Sequence, residues 1–324
     1  MPAYETIRLI HTILTLYYID GLTQTEISQR LGFSTAKVNR LLLQAREQGY
    51  INITIRTPLQ PLFDLEYRLK AVFGLQDAIV IPAVAESSSS PLIELGNIAS
   101  DYLLTRLRDG DVIGIGGGTA LNAIAHALVA NRPYQVSVVP LIGAVQGRIT
   151  TDVNYLATQL ADRLGGKAFQ LHAPAFVESK DECDTLKSLG PVKEILDIAC
   201  SANIALFGIG GVDPEASRFV HFTGLSPEDM LQIASDCGGV GDINAFVFDI
   251  DGCPCAQQYA DRVLGLSLVE IKKIPFRIGI AATKAKALPI YGALRGGYMH
   301  VLITDEAAAL EVLDIFEHKF RKHT

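Results

Sequence analysis

The segment Val112-Ile-Gly-Ile-Gly-Gly-Gly-Thr-Ala120 constrains this chain more than any other. An apolar, β-prone run ends in three consecutive glycines, and an amphipathic helical pattern over 119–129 follows at once. Strand, tight turn and helix in that order form the unit from which α/β folds are built. Glycines let the backbone approach a ligand, and amides at a helix start face an anion with the helix dipole behind them. The candidate anion site is therefore Gly116, Gly117, Gly118, Thr119 and Ala120, with the Thr119 hydroxyl as a further donor. No Gly-Lys-Ser/Thr follows, which excludes a Walker A loop, and the spacing is not G-x-G-x-x-G with a ribose acid about 20 residues on. A short anion such as a sugar phosphate fits better than a nucleotide. The plain alternative is a tight turn with no ligand.

Further apolar runs lie at 77–81, 136–142, 204–209, 243–248, 277–282 and 300–304, with helical patterns at 91–107, 152–164, 227–235 and 305–318 between them. This alternation predicts an α/β domain with an open, doubly wound, mostly parallel sheet and helices on both faces. Ligands of such sheets bind outside the carboxyl ends of the strands. Three more segments belong there. Residues 238–244, read as a loop leading into a strand, offer Asp242 for sugar hydroxyls; Lys284 and Lys286 follow the 277–282 strand and suit a phosphate; Arg295 precedes the last strand and suits a ligand or a subunit surface. The Asp249-Ile-Asp-Gly252 stretch reads as a tight turn rather than a metal-binding carboxylate pair, since Asp-Gly favours turns.

The first 56 residues have a different character. A helical pattern over 4–19 stops at Gly21. Thr23-Gln-Thr-Glu26 is a capping box for a second helix, Gly32 makes a turn, and Ser34 caps a third helix with Val38, Leu41, Leu42 and Ala45 on its buried stripe. Two helices joined by a short glycine turn form the helix-turn-helix pattern, whose second helix enters the DNA major groove. With Val38 inward, Ala36, Lys37, Asn39, Arg40 and Gln44 face outward, where Arg suits guanine and Asn or Gln suits adenine. Thr35 stands at the helix N-terminus, where phosphate contacts are common. Charge agrees: the chain carries −7, yet residues 1–56 hold six basic against four acidic side chains, a balance of +2 that leaves −9 on the remainder. Residues 50–56 read as a short strand or wing, 57–61 as a linker broken by two prolines, and 63–73 as a helix for dimerisation or domain docking. The expected division is a DNA-binding domain over 1–56 and an effector and oligomerisation domain over 57–324.

Hydrophobic residues make up 49% and charged residues 19%, enough apolar material for a substantial core. The start lacks a basic n-region leading into an apolar core, and no apolar run approaches the roughly 18 residues of a membrane span. A soluble, cytoplasmic protein with no membrane partner is expected. The five cysteines, with Cys253-Pro-Cys255 as the one close pair, match neither a disulfide framework nor a zinc site and read as reduced thiols. No cofactor and no metal is expected.

Taken together, Leu22-Thr-Gln-Thr-Glu-Ile-Ser-Gln-Arg-Leu31, Ile113-Gly-Ile-Gly-Gly-Gly-Thr119, Gly239-Val-Gly-Asp242 and Gly292-Ala-Leu-Arg-Gly-Gly297 leading to Leu302-Ile-Thr-Asp-Glu306 are similar to the SorC family of sugar-responsive transcription regulators, also called DeoR-type sugar-binding regulators. The resemblance spans nearly the whole chain. It implies a regulator of a carbohydrate-catabolism operon that binds operator DNA as a tetramer under control of a small sugar or sugar phosphate. It also implies a fold related to ribose-phosphate isomerase and glucosamine-phosphate deaminase, a phosphate pocket at Gly118, Thr119 and Ala120 with Lys286, and Asp242 as the sugar-side acid. Two departures alter the pocket: Gly117 stands where the family often has a bulky aromatic, and Ala282-Thr283 where it often has Gly-Gly. The competing reading is a sugar-phosphate isomerase or deaminase carrying an extra helical module. It needs a base and an acid at the substrate, for which Asp242 and His172 are the nominal pair. A non-enzymatic regulator is the preferred reading.

Overall fold

The computed structural model describes residues 4–51, 57–83, 91–145, 149–212 and 226–321. They form two units, Met1–Gln60 and Pro61–Thr324. Most of the strand or wing expected over 50–56, and the short polar loop before the 91–107 helix, lie outside the described residues.

In the first unit, helix α1 (Tyr4–Leu14) runs into a single π-helical turn, Thr15–Ile19, and is followed by α2 (Gln24–Leu31) and α3 (Thr35–Glu47). The capping box at α2 forms in both directions: Glu26 accepts from the Thr23 amide at 2.8 Å, and the Thr23 hydroxyl accepts from the Glu26 amide at 3.3 Å. These bonds hold the Glu26 carboxyl below its usual range, the Thr23 amide contributing most. Gly32 closes α2 in the left-handed region, and the Ser34 hydroxyl accepts from the Lys37 amide. Ile10, Ile13 and Leu16 meet Ile27, Val38, Leu41, Leu42 and Ala45 in one small core.

The second unit opens with α4 (Gln60–Phe73). Pro61 sits in its first turn, where a missing N–H costs nothing, so the linker is shorter than the two prolines imply. Leu62, Leu65 and Leu69 bury α4 in the main core of this unit. There follow β1 (Asp77–Ile81), α5 (Pro91–Arg106), β2 (Val112–Ile115), α6 (Thr119–Ala127), β3 (Ser137–Pro140), α7 (Val153–Leu164), β4 (Lys167–Ala168), α8 (Lys180–Ser188), α9 (Gly190–Cys200), β5 (Ile204–Gly208), β6 (Gly210–Gly211), α10 (Pro227–Cys237), β7 (Gly239–Ile243), β8 (Phe246–Asp249), α11 (Gln257–Ala260), α12 (Leu268–Ile271), β9 (Phe276–Ile280), α13 (Ala287–Arg295), β10 (Val301–Asp305) and α14 (Glu306–Arg321). Seven strands pair in the order β1-β10-β9-β5-β2-β3-β4, all in parallel. The central strands β2 and β5 are apolar along their whole length because both faces of a parallel sheet are covered. From β2 the chain moves outward to β3 and β4, then returns to lay β5 on the other side of β2. A crevice opens at that reversal, at the carboxyl ends of β2 and β5.

One part differs from the sequence expectation. The 243–248 run is not a strand of the parallel sheet, and 238–244 is not a loop. Both belong to a separate antiparallel sheet, β6-β7-β8. Gly239 and Gly241 suggest a loop, but here they mark close packing: a Cβ would come within 2.8 Å of Val247 Cγ1 at Gly239 and 2.9 Å of Pro289 Cβ at Gly241. Asn244 and Ala245, at φ +50° and +66°, form the two-residue turn between β7 and β8.

The base of this hairpin is fastened to α13. Residues 249–252 make the expected tight turn, in which Asp249 Oδ1 accepts from the Asp251 and Cys253 amides at 3.0 and 2.8 Å. Gly252, at φ +79°, lies against Gly296 and Gly292, and its carbonyl accepts from the Tyr298 hydroxyl at 2.6 Å. The cysteines are free thiols, and Cys237 donates to Cys255 Sγ at 2.8 Å. Among the described residues no helix is long and apolar enough to cross a membrane.

Gly252→Ala should lower stability by roughly 2–5 kcal/mol, because left-handed backbone and a Cβ driven into the α13 backbone both oppose it. Chemical denaturation checks this; a variant within about 0.5 kcal/mol of the parent would show that the turn yields freely.

Candidate functional site

A cavity of about 360 Å³ occupies the crevice at the carboxyl ends of the strands. That is near the lower end of ligand cavities, about 300–1,000 Å³, and suits a small metabolite. Its lining includes Gly117, Gly118, Thr119 and Ala120 from the glycine turn and α6, together with Asp242 from β7 and Lys286 from the short turn after β9. Strands of one parallel sheet end level, so the loops that follow them converge although they are far apart in sequence.

The glycine turn is arranged differently from a cradle of free amides. Gly116 lies outside the lining; its amide donates to Leu206 O at 2.8 Å, and a Cβ there would collide with Asn244 Oδ1. Gly116 is thus a spacing residue between two turns. Gly118, the N-cap of α6 at φ +114°, donates its amide to Thr151 O at 3.1 Å. The amides with no acceptor within the helix are those of the first turn of α6, Thr119, Ala120 and Leu121.

Asp242 is half-buried at the cavity wall, and its Oδ2 accepts from the Ala245 amide at 3.1 Å. Burial pushes its carboxyl up to about 6, against the opposing pull of the Lys286 ammonium and the Ala245 amide. Lys286 therefore acts on the same space electrostatically. Lys284 does not line the cavity; it is exposed and pairs with Glu311 at 3.1 Å. Arg295 also lies outside it, 3.9 Å from Asp251. His172 is exposed and absent from the lining, so it is not brought together with Asp242.

Of the lining residues, Asn244 has no role assigned from the sequence, and Thr283 enters only through the Ala282-Thr283 departure from the family resemblance. Asn244 reaches the wall from the hairpin turn. Thr283 adopts φ +90° and ψ 145°, a conformation glycine tolerates and a β-branched residue resists. Its amide donates to both oxygens of Asp305, at 3.1 and 3.0 Å, which holds the strained turn in place.

The α3 surface belongs to the other unit. Thr35, Ala36, Asn39 and Arg40 are exposed, and Lys37 and Gln44 half-buried. Thr35 Oγ1 donates to Ser28 Oγ at 3.4 Å, and the Lys37 ammonium rests 3.7 Å from the centre of the Phe33 ring. Asn39 and Arg40 thus offer the outermost polar groups of this face.

A helix-turn-helix unit joined to an α/β unit with a small, mostly apolar cavity that holds a few convergent polar groups defines a class of ligand-responsive DNA-binding proteins. Comparison with known proteins agrees. Residues 57–314 match the family described as "Putative sugar-binding domain", and residues 11–48 are similar to sigma-70, region 4. The chain is 32% identical to the transcriptional regulator LsrR of Escherichia coli K12 over 303 residues, 93% of each protein. Its structure resembles the full-length sorbitol operon regulator SorC from Klebsiella pneumoniae with a TM-score of 0.72 and 28% identity, covering 95% of this chain and 98% of that one. A DeoR family regulator from Listeria monocytogenes matches with a TM-score of 0.70 and 26% identity over 78% of this chain and 99% of that one. The chain belongs to the SorC/DeoR-type family of sugar-binding transcriptional regulators, and its role is regulatory rather than catalytic.

The raised Asp242 carboxyl sets a pH dependence. Between its ordinary 3.8 and about 6 the folded chain holds a proton that the unfolded chain has released, so stability falls as pH rises through that window. Asp242→Asn should therefore stabilise the protein near neutral pH by up to roughly 3 kcal/mol, with the gain fading toward pH about 4. Denaturation midpoints across this range check it; a gain independent of pH would show that the carboxyl is not the cause.

Proposed function

We propose that the protein senses a small phosphorylated sugar in this cavity and thereby controls its hold on operator DNA. The observation that carries the reading is the convergence of three chemistries on one small space: first-turn amides of α6, the Lys286 ammonium and the Asp242 carboxylate. The phosphate is assigned to Thr119 and Ala120, where amides and helix dipole favour an anion, with Lys286 supplying the charge those amides lack. Asp242, ionised near neutral pH, accepts from hydroxyls and repels phosphate, so it takes the sugar end. The printed name of one relative, a sorbitol operon regulator, supports a carbohydrate-catabolism operon as the target.

In the same reading residues 1–56 bind DNA and 57–324 carry sensing and oligomerisation, with a fold kinship to ribose-phosphate isomerase and glucosamine-phosphate deaminase. Thr35 contacts phosphate, while Ala36, Lys37, Asn39, Arg40 and Gln44 face base edges and backbone. A balance of +2 over residues 1–56 makes a single copy a weak DNA ligand, which favours a tetramer on a pseudo-palindromic operator. The protein works in the cytoplasm without a metal or cofactor.

Lys286→Ala should weaken a phosphorylated effector roughly tenfold or more while leaving effector-free operator affinity unchanged. Titration calorimetry after a thermal-shift screen decides; normal binding by the variant, or an unphosphorylated effector, would overturn the phosphate assignment. Arg40→Ala should weaken operator binding by roughly 1–3 kcal/mol and relax preference at one position. Gel shifts in which Lys37→Ala and Arg40→Ala both match the parent would remove α3 from the interface.

A further inference from the structure

Asn244 is the residue of the cavity wall whose chemistry the structure leaves unused. It stands first in the two-residue turn between β7 and β8, at φ +50°. Glycine or aspartate would serve that turn equally well, so backbone geometry alone does not call for an amide. Its Oδ1 packs over Gly116, in space that exists because Gly116 has no Cβ. Its Nδ2 is buried and has no hydrogen-bond partner among the described residues. An unpaired buried amide opposes folding, and a natural turn that keeps one points to a partner of another origin. Asn244 lines the same cavity as Asp242, which lies two residues earlier on the same hairpin. The hairpin tip therefore combines an acceptor, the Asp242 carboxylate, with a donor, the Asn244 amide.

From this juxtaposition we infer that Asn244 is a specificity-determining residue: its amide nitrogen binds an effector oxygen adjacent to the hydroxyl taken by Asp242. The effector then carries neighbouring oxygens, a vicinal diol or a hydroxy-ketone, at the end away from its phosphate. One hydroxyl donates to Asp242, and the neighbouring oxygen accepts from Asn244. A chain that lacks either oxygen leaves one of the two groups unpaired, which is how buried polar groups reject near analogues. This inference rests on the sugar-phosphate reading of the cavity.

The test uses the full chain with dihydroxyacetone phosphate, D-fructose 6-phosphate, D-glucitol 6-phosphate and inorganic phosphate as probes. Asn244→Gly keeps the turn and removes the amide; Asn244→Asp keeps the turn and replaces the donor with an acceptor. Asn244→Gly should bind whichever sugar phosphate the parent binds at least about fivefold more weakly, with inorganic phosphate affinity unchanged and no loss of stability; Asn244→Asp, which adds a carboxylate to the cavity, should weaken the sugar phosphate at least as much. Parental affinity for the sugar phosphate in Asn244→Gly would reduce Asn244 to a turn residue and leave the phosphate site standing. Equal losses for inorganic phosphate would show a general disturbance of the cavity and overturn the inference, as would a parent that binds inorganic phosphate alone. A parent that binds none of the four would overturn the reading of the cavity itself, and this inference with it.

Discussion

The cavity depends on the reversal of strand order at β2 and β5. The crossover that follows β2 leads away to one side and the strand that returns lies on the other, so the loops leaving the two carboxyl ends part and expose the sheet edge between them. Part of the lining is placed by that geometry: the glycine turn after β2, Gly208 and Gly210 around the end of β5, and residues 281–283 after β9. Because the strands are parallel and in register, these loops start at one level. The cavity therefore belongs to the sheet, and the loops decide its chemistry.

The antiparallel hairpin supplies a further part of the wall, and it does so through backbone approach. Gly116, Gly241 and Gly252 each stand where a Cβ would strike a neighbouring turn, strand or helix. Such contacts leave little room for the tip bearing Asp242, Asn244 and Ala245 to shift. The tip is also costly to build: a half-buried carboxyl is pushed up by desolvation against the pull of the Lys286 ammonium, an amide has no partner among the described residues, and Thr283 across the cavity is held in a glycine-like conformation. Unfavourable features concentrated around one cavity, inside a unit whose core is otherwise apolar and well packed, are the pattern expected where ligand binding rather than stability has shaped the residues.

Charge separates the two tasks of the chain. The +2 balance of residues 1–56 attracts DNA phosphates weakly, while the −9 of the remainder repels them. The proposed DNA contact falls on the unit with the favourable balance, and in the larger one Arg68, Arg132, Lys193 and Lys284 pair with nearby carboxylates while Lys286 lines the cavity.

The sequence by itself determined whatever rests on neighbours along the chain. The caps at Thr23 and Ser34, the buried stripe of α3, the apolar strands and the helix starting at Thr119 were all readable, because hydrogen bonds and side-chain periodicity within a few residues dictate them. So was the presence of Asp242 and Lys286 near strand ends. Tertiary structure alone decided the rest. The glycines of 238–244 read as a loop, since glycine density looks the same whether it gives freedom or permits close packing; contact with Pro289 and Val247 made it a strand. Residue chemistry alone made Lys284 and Lys286 equal candidates, with only the family resemblance favouring Lys286; the turn after β9 pairs Lys284 with Glu311 and places Lys286 at the cavity. Gly116 and Asn244, separated by more than a hundred residues, met only when β2 and the hairpin were packed together, because contact across the chain is set by which surfaces the core buries and not by spacing in the sequence.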